Sequence, residues 1–429
     1  MIGWTLLLLS SFASVPQAAS PTDYKKDVAF LLDEFEKQAG TLLHQKQIDW
    51  KAVRAEFTKL AADVKDDAAH VKLCGRLVAR LKDGHAGFTE VNASVPPPPP
   101  RYGVGLCLCE SQKHVLVKQV FGPAAASGVM AGDEVLAIDG KNAGAWIDDK
   151  TREIADEHGF STEHAARYAA CHWGLVGESG QTIKLDLDRQ KGGKKSVTLT
   201  FAKEGGDGRY VGPIFPAKDL VKIGRRDAYR KLDGGTGYIY LGECAGELGD
   251  ELDTAIAALG DVTGLVLDLR ANNGGGTDHA DVFGRFLAPG STWRQYKSTG
   301  KANFVGPMVV IVDEGTRSTG ETVAGQFKED GRAYMIGPAA TAGMSAGKAE
   351  ITVPSKLFKV RFAVSSNKQR FNGGKGIEGI GVAPNELVPW DAKQMSEGAD
   401  PMIVRAQELL KKGLPKGAVQ YVPPKAVKK

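Results

Sequence analysis

The sequence predicts a multidomain α/β protein with three parts: an N-terminal helical segment, a β-rich unit with a helical insert, and an α/β unit with a largely parallel sheet. Three patterns carry this expectation. Residues 22 to about 82 place apolar side chains at i, i+3 and i+4, as in Leu31 to Phe35 and Trp50 to Phe57, which is helical spacing. From Tyr102 the chain turns to short apolar runs split by turns, the pattern of strands. From Gly235 strand-like and helix-like runs alternate, the order that builds a parallel sheet.

The elements follow in order. Asp49 offers an N-cap to the helix that begins at Trp50. A further helix over Val71 to Leu81 stops at Asp83-Gly84, and His85 sits just past that stop. Pro96 to Pro100 is a polyproline run and reads as a stiff linker. The strands YGVGLCL, HVLVKQVF and DEVLAIDG follow, with a short helix and turn in GPAAASGVMAGD. A helical insert spans Trp146 to Leu175. IKLDLDRQ and SVTLTFAK then close the unit near Glu204.

In the last part, GYIYLGE, LVLDLR, MVVIVDE and AYMIG read as strands, with helices in ELGDELDTAIAAL, DHADVFGRFLA and the segment after Ser318. EITVPS and KVRFAVSS add two strands before KGIEGIGVAPNELV. The expected divisions are 1–20, 21–95, the linker 96–100, 101–205, 216–392, and a C-terminal helix with a basic tail over 393–429.

Composition narrows the function. The chain has 429 residues, 42% hydrophobic and 25% charged, so a large core is within reach and no disulfide or metal staple is required. Net charge is only +4, with much of the excess in the tail Lys411 to Lys429, so nucleic acid is not an expected partner. The five cysteines are odd in number and scattered, which argues against a disulfide framework. Cys107 and Cys109 are expected on one strand face as half-buried small hydrophobes, because no second Cys/His pair follows at ligand spacing. No metal or cofactor is implied. The first twenty residues, MIGWTLLLLSSFASVPQAAS, read as a secretory signal without a basic start, cut near Ala18 to Ser20. Its apolar core is too short to span a bilayer, so no stable membrane anchor is expected and the compartment is the periplasm or the outside.

Four motifs can carry chemistry. In Val309 to Gly325 a buried strand runs into Asp313-Glu314-Gly315 and places Ser318 at the start of a helix. Unpaired amides and the helix dipole there favour negative charge, so Ser318 could attack a carbonyl beside a ready oxyanion donor. Ser318 to Glu321 also fits a capping box. His85, in LeuLysAspGlyHisAlaGlyPhe, is presented by a tight loop and suits general-base work, although a surface or capping role fits the loop equally. The loop Asn272 to Gly276 exposes amides at a strand end, or is a plain turn; it lacks P-loop spacing. Glu378 sits between glycines in an apolar setting, where a carboxylate needs a partner such as a His ring, or else it lies in a surface turn. His158, His164 and His172 of the insert read as a solvated helix face.

Together and in this order the motifs resemble one family, the C-terminal processing, or tail-specific, serine proteases. YGVGL and FGPAAASGVMAGDEVLAIDG resemble a PDZ domain, whose loop, here Tyr102, Gly103, Val104, Gly105 and Leu106, would take a peptide's C-terminal carboxylate. DLRANNGG resembles the family's DLRNNPGG loop. VDEGTRSTGE resembles its nucleophile turn and maps the nucleophile onto Ser318. GIEGIGVAPNELV resembles its closing segment. The resemblance implies a crotonase- or ClpP-like core, peptide or protein substrates held by their C-terminus, and an oxyanion hole from the amides of Gly274 and Thr319.

The chain departs from the Ser/Lys pattern of that family. The family's lysine offset falls on Gly343, and the nearest lysine, Lys348, comes later. The tricorn-like branch uses a histidine and a glutamate instead, and DGHAGF and GIEGIG match them with His85 and Glu378. The favoured set is therefore Ser318, His85 and Glu378. A Ser318/Lys348 dyad and an inactive peptide-binding scaffold are the alternatives.

Overall fold

The computed structural model describes residues 21–206, 219–344, 347–367 and 370–424. The expected signal segment and the last five residues of the tail lie outside the described residues.

The N-terminal segment forms helices Pro21–Gln45, Trp50–Leu60 and Asp67–Ala79. Asp49 and Asp66 cap the second and third, accepting from the amides of Ala52 and Ala69. The apolar faces do not close on themselves alone. Leu31, Phe35, Phe57 and Leu77 share one core with Phe358, Val360 and Phe362, from a strand nearly three hundred residues later. Phe35 meets the Phe362 ring edge-on, with centroids 4.8 Å apart. A three-stranded sheet makes the same junction: Gly87–Val91 pairs antiparallel with Phe358–Ala363, which pairs with Lys348–Thr352. The loop that carries His85 is thus tied to the C-terminal half of the chain.

The second unit is a six-stranded antiparallel sheet among the described residues, in the path Leu106–Ser111, His114–Val120, Glu134–Ile138, Thr182–Arg189, Gly193–Thr200, with Lys141–Asn142 alongside. Helices Ala143–Glu157 and Glu163–Trp173 form the insert and bury Ile147 and Ala170 against Leu108, Val117 and Leu185. The half-buried face expected for Cys107 and Cys109 is not what forms. Both cysteines are buried. The physical reason is that the strand lies between two cores: Leu108 faces its own sheet while Cys109 packs with Tyr238, Val266 and Val309 of the third unit. All five cysteines are free thiols.

The third unit holds a seven-stranded sheet among the described residues, ordered Val221–Lys222, Ala228–Lys231, Thr236–Tyr240, Gly264–Asp268, Met308–Ile311, Tyr334–Gly337, Glu386–Leu387. The first two pairings are antiparallel and the remaining four parallel. Its central strands are apolar on both faces, as a sheet covered by helices requires. Leu265, Leu267 and Val310 pack under helices Leu248–Leu259 and Thr319–Glu329. Val266, Val309 and Ile311 pack under helix Pro401–Lys412. At the ends of the two central strands the chain leaves the sheet as the Asn272 to Gly276 loop and as the turn to Ser318. Ligand sites of open α/β sheets form at such strand ends. The Arg270 guanidinium, fully buried, pins this edge between Asp268 at 2.6 Å and Asp400 at 2.8 Å. Among the described residues no helix is long and apolar enough to cross a membrane.

Candidate active site

Ser318 is held in an unfavourable backbone conformation, with φ +56° and ψ −124° at the residue before helix Thr319–Glu329. A non-glycine residue kept there costs on the order of 1–3 kcal/mol and persists only if its surroundings enforce it. Glu321 is the enforcing group. One carboxylate oxygen accepts the Ser318 amide at 3.0 Å and the Met344 amide at 2.9 Å. The other accepts the Thr341 hydroxyl at 2.6 Å and the Gly343 amide at 2.7 Å. Burial pushes the Glu321 carboxyl up to about 7 against these four donors. The capping box foreseen at Ser318 is therefore also a clamp that ties the Ser318 turn to the 341–344 loop.

The glycine loop packs directly on the serine. A Cβ at Gly274, whose φ is +77°, would lie 2.6 Å from Ser318 Cβ and 3.0 Å from the Thr319 nitrogen. Only glycine lets the two backbones approach this closely. One expectation needs correction here. The Gly274 amide donates to Asn272 Oδ1 at 2.7 Å, so it is engaged rather than offered to an oxyanion. Asn272 is fixed in turn, its Nδ2 donating to Leu241 O at 2.8 Å. Thr319 opens the helix and anchors to the loop through its hydroxyl, which donates to Gly275 O. Asp313 joins the two loops from beneath: Oδ1 accepts the amides of Ala271 at 2.8 Å and Gly315 at 3.0 Å. Lys118, buried in the second unit, brings its amine to 3.8 Å from Asp313 Oδ2.

His85 reaches this place through Asp83. The two oxygens of Asp83 accept the His85 amide at 2.8 Å and the Ala363 amide at 2.6 Å, which fastens the tight loop to the strand of the small sheet. A Cβ at Gly84 would lie 2.7 Å from Met344 Sδ, and Met344 O accepts the Ser318 amide at 3.2 Å. The His85 loop and the Ser318 turn thus share Met344. Both ring nitrogens of His85 are buried without a hydrogen-bond partner, and so is Glu378 Oε2. Side-chain ligand atoms of Asp83, His85 and Glu378 lie within 4.8 Å of one another. Burial, then the field of Lys348, pushes the His85 imidazole down to about 4. The ring is neutral at neutral pH and able to accept a proton.

Asp83, His85 and Glu378 have the spacing of a cation site, but their chemistry does not fit one. Both Asp83 oxygens are committed to amides, and Glu378 Oε1 accepts from Lys46 at 2.7 Å and from Ser161 Oγ at 2.9 Å. Glu378 is fully buried, and burial raises its pKa against the lowering by Lys46. Lys46 and Ser161 were not legible as site residues; nothing in their sequence surroundings sets them apart. Lys348 is exposed on its strand, its amine lowered first by burial and then by Arg361.

Tyr102 and Gly103 pair antiparallel with Val176 and Gly177, and Val104 and Leu106 are buried in the core of the second unit. The Gly103 amide donates to Gly206 O, and Gly103 O accepts the Ala202 amide at 3.1 Å. The chain's own Lys203–Gly205 turn covers this loop, so the Gly103 amide is occupied from within. The insert histidines correct the expectation of a solvated face. Only His158 is exposed. His164 Nε2 lies 2.7 Å from Thr341 O, and His172 is buried 3.4 Å from the Lys118 amine. The insert packs on the nucleophile turn, with a Cβ at Gly315 only 2.5 Å from Tyr168 Oη, and that burial takes these rings out of solvent.

Residues 235–388 match the model of peptidase family S41, a segment that holds Gly274, Ser318, Thr319, Lys348 and Glu378. Over that segment the chain is similar to that family. A carboxyl-terminal-processing protease of Picosynechococcus sp. is 26% identical over 411 residues, covering 90% of this chain and 88% of the relative. The fold is similar to that of mature CPAF complexed with lactacystin, with a TM-score of 0.65 at 13% identity over 91% of this chain and 97% of the other. It is also similar to the tricorn protease, with a TM-score of 0.52 at 15% identity over 93% of this chain and 38% of the other. His85, Lys46 and Ser161 lie outside the matched segment, N-terminal to it.

Proposed function

We propose that this protein is a serine endopeptidase of the C-terminal processing type, with Ser318 as nucleophile, His85 as base and Glu378 as the group that orients His85. The observation that carries it is the convergence of three distant segments: the enforced Ser318 turn, the His85 loop that abuts it through Met344, and the buried Glu378, whose carboxylate comes within 4.8 Å of the His85 ring. In this reading Ser318 Oγ attacks the peptide carbonyl while His85 takes its proton. The Thr319 amide, at a helix start, donates to the developing oxyanion. His85 then protonates the leaving amine, and water, activated by the same ring, releases the acyl group. The His85 ring makes no hydrogen bond in the free enzyme, and a bond to the serine forms as substrate seats, as free active sites often require. An exposed Lys348 amine beside Arg361 suits a general base less well than a neutral buried imidazole.

In the same reading the second unit is a PDZ module that holds substrates by their C-terminal carboxylate at Tyr102 to Leu106, and the protein acts after export. Seating a carboxylate there requires the Lys203–Gly205 turn to give way, since Gly206 at its end already accepts the Gly103 amide. A peptide substrate with a free C-terminus should therefore be cleaved with a KM roughly tenfold or more below that of its C-terminal amide, the worth of one charge-assisted hydrogen bond. Steady-state kinetics on the matched pair tests this. Equal KM values would remove carboxylate capture from the reading and leave the protease chemistry untouched.

A further inference from the structure

We propose that Lys46 is a positioning residue of the active site, holding Glu378 ionised and turning its free oxygen toward His85. This rests on the Ser318, His85 and Glu378 reading above. Lys46 follows the long N-terminal helix, and its amine is doubly held, by Lys82 O at 2.8 Å and Glu378 Oε1 at 2.7 Å. The pair is buried, with the lysine side chain 6% and the glutamate 0% exposed. A carboxylate in such a place is expelled as the neutral acid unless a cation and hydrogen bonds offset the loss of water. Ser161 supplies the second bond to the same oxygen and, through its Oγ, accepts the Gly84 amide at 3.0 Å. With two donors on Oε1, Oε2 is the oxygen left for the imidazole, and it is the one without a partner.

This makes three regions meet at one carboxylate: the N-terminal helices through Lys46, the insert through Ser161, and the closing segment that carries Glu378. The charged groups around the histidine are Asp83 on its own loop, Lys348 and Arg361 on the small sheet, and Arg317 before the nucleophile. Lys46 faces Glu378 from a separate element. Its removal therefore strips the counter-charge from the carboxylate without altering the other four.

The sign of the effect follows. Without Lys46, the His85 and Glu378 pair binds a proton more readily, whether that proton sits on the ring or on the carboxyl. Protonation disables the base, so the acid limb of the activity profile moves to higher pH. A mere packing role lowers activity at every pH and leaves the midpoint in place.

The test is the pH dependence of kcat/KM on a peptide substrate for the wild type, Lys46→Met and Lys46→Arg, with His85→Ala alongside and thermal melts for all four. The expected result is an acid-limb midpoint at least one pH unit higher in Lys46→Met, activity recovering at alkaline pH, and a near wild-type midpoint in Lys46→Arg. An unchanged midpoint in a folded Lys46→Met would overturn the proposal, as would Lys46→Arg behaving like Lys46→Met. If Lys46→Met does not fold, a shifted midpoint in Lys46→Arg, with the cation still in place, sinks it. Failure of the underlying reading looks different: His85→Ala would keep full activity whatever the Lys46 variants do.

Discussion

Replacing His85 with alanine should lower kcat/KM on a peptide substrate by about 10⁴-fold or more, and replacing Ser318 with alanine should cost at least as much. Lys348→Ala should stay within about threefold of the wild type. The difference follows from where the two candidate bases sit. His85 is presented by a loop that both oxygens of Asp83 fasten, beside Glu378 and against Met344. Lys348 is exposed, and its strand pairs it with Ala363 on the small sheet rather than with the nucleophile turn. Removing it takes a positive charge from the histidine's surroundings, so a small rise in the His85 pKa is its main effect. Kinetics of the three purified variants decide the matter. Loss of activity in Lys348→Ala with His85→Ala intact would reverse the assignment.

Glu321→Ala should be nearly as damaging without removing any reacting atom. The glutamate is the shared acceptor for Ser318, Met344, Gly343 and Thr341. Its loss leaves those donors unsatisfied in a buried place, a cost of about 3 kcal/mol or more in stability, and lets the Ser318 backbone leave its unfavourable conformation. Glu321→Gln should not rescue it. Both oxygens accept two bonds, and an amide nitrogen in place of either one points donors at donors. The measurement is a denaturant melt with kcat beside it. A Glu321→Gln variant with wild-type stability and rate would show that the clamp does not set the serine.

Much of this architecture can be read from the chain because its signals are local. Helix spacing, the Asp49 cap, the apolar strands and the turn before Ser318 are all set by neighbours within a few residues, and each forms where the pattern places it. What could not be read depends on contacts between distant segments. The fastening of Asp83 to Ala363 spans 280 positions, and Lys46 to Glu378 spans 332. No periodicity encodes such a pair. His172 looked solvated because helix spacing reports faces, not what packs on them, and Lys118 with the nucleophile turn buries it. The Gly274 amide looked available because a glycine-rich loop exposes amides in general; here the Asn272 side chain, two residues earlier, takes it back.

The most direct test of the central claim is covalent. A fluorophosphonate should react with the native protein at a single residue, and mass analysis of the digested protein should place the adduct on Ser318. Labelling should vanish in Ser318→Ala and slow sharply in His85→Ala. An adduct elsewhere, or none on a folded protein that cleaves peptides, would contradict the assignment of Ser318 as the nucleophile.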